Sequence, residues 1–106
     1  MEYTIIEVPD MNDSKSRVVL NSKAYLILFS YNDTKDYWKF SLYDLQDKPI
    51  ILGVKIVPGL PLNVFYGITE MPFGIFGVMS KLDRIGRNDF VEGNAKFIFC
   101  SAGENQ

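Results

Sequence analysis

The sequence predicts an all-β fold: short antiparallel strands closed into a small barrel, with a long Pro/Gly-rich apolar loop and at most one short helical turn. Three observations carry this. Apolar and polar residues alternate with period two through Tyr37-Trp38-Lys39-Phe40-Ser41-Leu42-Tyr43, the spacing of a half-buried strand. Phe, Tyr and Trp make up 14% of the chain and gather in such runs, where flat side chains pack on a pleated surface. Asn, Asp, Ser, Gly and Pro punctuate the intervals between runs, as turns require.

Taken in order, Tyr3 to Val8 reads as an opening strand, and residues 1–13 as an N-terminal strand or arm. The stretch from Met1 to Asp10 contains Glu2 and Glu7 and lacks a basic start before an apolar run, so no signal peptide is expected. Arg17-Val18-Val19-Leu20 is followed by Asn21-Ser22, whose side chains can bond the local backbone in a turn. The run from Ala24 to Phe29 is apolar on both faces. That suits a small closed barrel or a strand covered by a partner. The polar loop Asn32 to Asp36 then joins the runs from Ala24 to Tyr43 into a hairpin.

In the strand 37–43, Trp38, Phe40 and Leu42 are assigned to the core. Asp44-Leu45-Gln46-Asp47-Lys48-Pro49 forms a polar connection. In the next run Ile50, Leu52, Val54 and Ile56 are expected to point inward, with Gly53 and Lys55 outward. Residues 57–77 differ in kind: Pro58, Gly59, Pro61, Gly67, Pro72, Gly74 and Gly77 interrupt any regular ladder. Met79, Leu82 and Ile85 are spaced for a helical turn ending at Gly86. Ala95, Phe97 and Phe99 alternate with Lys96, Ile98 and Cys100 in a closing strand, and residues 102–106 read as a flexible tail. With 106 residues, of which 47% are hydrophobic, the expectation is one domain over 1–106 with a real core.

The residue inventory narrows the chemistry. There is no histidine, which removes the commonest general base and metal ligand. The single cysteine, Cys100, makes neither an internal disulfide nor a structural zinc site. It reads as a small buried hydrophobe rather than a reactive thiol. Gly74-Ile75-Phe76-Gly77 lacks the Lys-Ser or Lys-Thr of a phosphate-binding loop. Asp33 with Asp36, and Asp44 with Asp47, could offer oxygen ligands, but each pair sits with a lysine on a polar loop and matches no Ca²⁺ pattern. Turn residues are the better reading. Asp83 and Asp89, beside Arg84 and Arg87, read as a solvated loop with surface pairs. No catalytic residue, cofactor site or metal site is expected.

Eleven basic and thirteen acidic residues leave a net charge of −2. That weighs against nucleic-acid binding and against docking on an anionic membrane. The longest uncharged stretch, Ile56 to Thr69, is broken by proline and glycine and too short to span a bilayer. A Pro/Gly-rich apolar segment as long as Val57 to Gly77 is unusual in a small domain. Exposed, its residues Leu60, Leu62, Val64, Phe65, Tyr66, Phe73 and Phe76 would form a protein interface. Folded back, they would cap one end of the barrel. Both readings stay open.

The middle of the chain resembles the small baseplate plug proteins of tailed bacteriophages. The likeness runs through Tyr31-Asn32, the strand Tyr37 to Asp44 with Trp38, and Pro49-Ile50-Ile51-Leu52-Gly53-Val54-Lys55-Ile56-Val57-Pro58-Gly59-Leu60-Pro61-Leu62. More loosely it takes in Phe73-Gly74, Asp89-Phe90 and Phe97-Ile98-Phe99. The resemblance implies an OB-type or similar small barrel at the tail tip, near the hub that closes the tail tube. It implies a structural virion component, made in the host cytoplasm, without cofactor or active site. Its partners would be hub, tube-end or spike proteins, with room for self-association within the assembly.

The expected fold is therefore an antiparallel OB-like barrel of five or six strands, and the expected function is packing within a phage baseplate. The seven residues from Leu60 to Phe76 named above form the expected interface, and Trp38, Phe40, Leu42 and Val54 the core. One rival is a single-stranded nucleic-acid binder of OB type, using Tyr31, Lys39, Tyr43 and Lys55. The other is a carboxylate-dependent hydrolase using Asp83 or Asp89.

Overall fold

The structure, a computed structural model, describes residues 3–59 and 74–101. These form seven strands and no helix: β1 (Tyr3–Ile6), β2 (Asp13–Leu20), β3 (Lys23–Asn32), β4 (Tyr37–Tyr43), β5 (Pro49–Lys55), β6 (Gly74–Ser80) and β7 (Ala95–Ser101). The strands sort into two antiparallel sheets. One has the order β2-β3-β4-β5, a simple meander; the other has the order β1-β7-β6.

Local chemistry sets the meander. Asn21 and Ser22 both adopt positive φ, 54° and 67°, between the paired residues Leu20 and Lys23. Two left-handed residues in a two-residue loop match the twist of the strands on either side. The β3–β4 turn ends on Asp36 and the β4–β5 turn contains Asp47, each also at positive φ. Asp44 organises the second turn, its carboxylate accepting the backbone N–H of Gln46 and of Lys48 at 2.9 Å each.

Alternation then decides the faces. Tyr25, Ile27 and Phe29 of β3 and Trp38, Phe40 and Leu42 of β4 are buried on one side of the meander. From the other sheet, Ile6, Phe76, Val78, Phe97 and Phe99 join the same cluster. The seam is aromatic. Phe97 sits 5.1 Å from Phe29 and 5.0 Å from Phe40, both edge to face. Phe76 lies 5.1 Å from Phe40 and 5.1 Å from Phe99. Burying each such ring contributes about 1.5–3 kcal/mol, and the ring geometry adds to it.

The all-β expectation holds, but among the described residues the strands form two antiparallel sheets that are not closed into the expected OB-like barrel. A single bridge joins them among the described residues, where Gly59 and Val78 exchange N–H···O bonds at 2.9 Å. On the far side the chain passes from β1 to β2 through residues 7–12. Pro9 there has no N–H to offer a ladder, and no pairing links the two strands among the described residues.

Three further expectations change. The first is the β5 phase: Ile51 is buried and Leu52 is exposed, the reverse of the simple alternation. Phe40 pairs with Val54 and Leu42 with Ile51, so Leu52 and Gly53 together oppose Ser41. This bulge carries Gly53 at φ +62°, where an L side chain is strained. The Gly53 N–H donates to the buried Ser41 Oγ at 2.8 Å. Beyond the bulge, Val54 packs on the core and Ile56 is buried.

The second is the end of the segment 57–77, read from its glycines as a loop: residues 74–77 belong to strand β6, which is paired along its length with β7. Gly74 permits the approach: a Cβ there would lie 2.3 Å from the Cys100 carbonyl oxygen. The third is the helical turn, which does not form. Met79 faces Lys96 in the β6–β7 ladder, and Leu82 and Ile85 fall in the irregular connection after it.

Two predictions follow from the packing. Trp38→Ala should lower unfolding stability by about 3–5 kcal/mol, read from a urea titration; a loss below about 1 kcal/mol contradicts a core Trp38. Gly74→Ala should cost about 1–3 kcal/mol through overpacking against backbone, and an unchanged melt would mean that β6 and β7 separate without penalty.

Candidate functional site

The surface features are set by two regions, the connection 81–94 and the outward face of the meander. Trp38 anchors the first. Its ring is 1% exposed, and its indole N–H donates to the Gly86 carbonyl at 3.1 Å. Phe90 packs against it at 6.0 Å and Tyr31 at 5.2 Å, with the Arg87 guanidinium 5.5 Å above the ring. Asp89 shapes the backbone there by accepting the Gly86 N–H at 2.6 Å.

The acid–arginine grouping of this connection resolves into ties between loops. Arg84 pairs with Asp36 at 2.9 Å, and Arg87 with Asp10 at 3.1 Å. Arg87 also donates to Asn12 at 2.6 Å. Asp83 makes no such pair among the described residues, and Asp89 is engaged with backbone and with Asn94. Asp89, one of the two acids of the hydrolase rival, thus holds the loop backbone. Among the described residues no group of three or more His, Cys, Asp or Glu side chains could hold a metal ion.

Of the seven expected interface residues, Leu60, Leu62, Val64, Phe65, Tyr66 and Phe73 lie outside the described residues. Phe76 is corrected to a core position: it is fully buried against Phe40, Phe97 and Phe99. Its strand partner Phe99 fixes the phase that turns it inward. Cys100 is a buried free thiol on the opposite face of β7, with Tyr3 and Ile75 as its cross-strand neighbours.

The outward face of the meander collects residues that the sequence scattered. Lys39 and Lys55 are directly paired across β4 and β5. Tyr43 and Leu26 are paired, with Arg17 beyond Leu26; Lys15 pairs with Leu28, which pairs with Ser41. Lys55 Nζ lies 5.1 Å from the Tyr37 ring and Lys15 Nζ 4.7 Å from that of Tyr43. Tyr31, grouped by sequence with Lys39, Tyr43 and Lys55, is on the other side against Trp38. Read from the sequence, β2 begins at Arg17; the alternation of Asp13, Lys15 and Arg17 is the local signal that marks its exposed charged side.

Tyr31 also donates its hydroxyl to the Asp36 carboxylate. That bond, and then Arg84, hold the Asp36 carboxyl below the usual carboxylate range. The same bond, and then burial, push the Tyr31 phenol up. A depressed carboxyl contributes stability that is present above its unfolded pKa and is lost as pH falls through the folded one. Tyr31→Phe should raise the Asp36 midpoint in an NMR titration; an unmoved midpoint would assign the whole depression to Arg84.

Comparison with curated proteins finds no match. A family model described as cyanophage baseplate Pam3 plug gp18 matches residues 1–102. The match takes in all seven strands, the apolar segment between β5 and β6, and the stretch whose pattern resembled phage plug proteins. The chain belongs to the cyanophage baseplate Pam3 plug gp18 family.

Proposed function

We propose that this chain is a structural component of a phage tail baseplate, a plug or hub-associated protein that closes or bridges the tail tip by packing against its neighbours. The observation that carries the reading is the family match across residues 1–102. Its place is the virion tail baseplate, after synthesis in the host cytoplasm. Its partners are hub, tube-end or spike proteins, and it works without catalysis or cofactor. The whole chain acts as one domain in this reading.

The aromatic core supports a rigid scaffold role, since interdigitated rings hold two sheets in one arrangement. The residues proposed to contact neighbours are Leu60, Leu62, Val64, Phe65, Tyr66 and Phe73. Assemblies of this kind bury large hydrophobic interfaces, and an apolar segment rich in Leu, Phe and Tyr supplies side chains for such contacts.

Phe65→Asp tests the assignment. The isolated chain should melt within about 0.5 kcal/mol of the parent and yet fail to enter assembled particles. Unfolding of the isolated variant would make the segment a cap on the core instead. Normal incorporation would remove Phe65 from the interface.

A further inference from the structure

We propose that the outward face of the β2–β5 sheet docks an acidic protein surface: an apolar patch bearing carboxylates on a neighbouring tail protein. The proposal rests on the baseplate reading and adds a face and a partner chemistry to it.

The argument begins with charge. The chain is net negative, yet this face is dominated by cations. Lys15, Arg17, Lys39 and Lys55 all project from it by strand alternation. Lys15 is neutralised by Asp47. Asp13, the acid of the same face, accepts a hydrogen bond from Ser30 at 3.0 Å. Arg17, Lys39 and Lys55 have no ion-pair partner among the described residues. Lys39 and Lys55 even stand directly opposite each other, a like-charge pairing that opposes folding of the lone chain. An anionic partner relieves that repulsion.

The second line is apolar. Leu26 and Leu28 are half-buried at the centre of the same face, and Leu52, across Ser41 of β4 from Leu28, is 62% exposed. Leu52 is outside only because the Gly53 bulge reverses the phase of β5. Bulges recur where a sheet must re-aim a side chain. The result is an apolar centre with a charged margin, the anatomy of a protein–protein contact. Complementary charge at such a margin sets register and speeds encounter.

The same geometry disfavours nucleic acid. Base stacking needs open aromatic faces, whereas lysine ammonium groups lie over the rings of Tyr37 and Tyr43. Leucines, rather than rings, occupy the exposed centre.

The test uses assembled particles. A photoreactive benzoylphenylalanine replaces Leu52 in the full chain, and a control carries it at Met79, exposed on the other sheet. After irradiation, the crosslinked peptides are sequenced. The expected result is a crosslink from position 52 to an Asp/Glu-bearing segment of another tail protein. K39E/K55E, with K39Q/K55Q as a milder pair if the first fails to fold, should lower its yield by about tenfold. Crosslinks from 79 but not 52 would overturn the face and leave the baseplate reading standing. A crosslink from 52 to a second copy alone, or to a segment without acids, would overturn the proposed partner. Absence of the chain from particles would overturn both readings. Binding of fluorescein-labelled oligothymidylate by the isolated chain, abolished by K39E/K55E, would assign the face to nucleic acid instead.

Discussion

The contact on which the rest of the molecule depends is the aromatic seam centred on Phe97. Two sheets meet with one backbone bridge between them among the described residues, so side-chain packing must hold them in register. Phe97 reaches both Phe29 and Phe40 of the opposing sheet, and Phe76 completes the set from the neighbouring strand. Non-directional burial alone would let the sheets slide. Edge-to-face geometry at about 5 Å restricts that freedom, because each ring has a preferred angle to its neighbours.

Trp38 extends the same logic to the surface. One face of its ring belongs to the core, while its N–H and the guanidinium of Arg87 fasten the 81–94 connection. Arg84 and Arg87 then reach to Asp36 and Asp10 on other loops. Exposed pairs of this kind add little stability singly. Their value is positional, since they fix irregular backbone at one end of the sheets. Of the two acids that stand beside these arginines in the sequence, Asp89 is committed to the loop backbone and to Asn94.

Family membership and geometry point in the same direction. The family places the chain in a phage baseplate, and interlocked rings hold its two sheets in one arrangement. What distinguishes its surfaces is chemistry. The meander presents cations around a small leucine centre, whereas the loop ends carry neutralised pairs.

Much was legible in the sequence because strand periodicity is local. The β4 boundaries and its core residues Trp38, Phe40 and Leu42 follow from alternation over seven residues. The Asn21-Ser22 turn and the closing strand are equally local. Absence of histidine and a single cysteine narrowed the chemistry before any fold was known. Where local rules compete with distant partners, the reading failed. Gly74 and Gly77 look like strand breakers until β7 pairs with them, and at Gly74 the missing Cβ lets the backbones approach. Leu52 looks inward until the register with β4 inserts a bulge. Phe76 looks like surface until Phe40 and Phe97 surround it. Closure into a barrel or division into two sheets was likewise undecided by pattern, as was the gathering of Arg17, Lys39 and Lys55 on one face. Periodicity specifies which way a side chain points relative to its own strand; only the pairing of strands far apart in the chain decides what lies on that side.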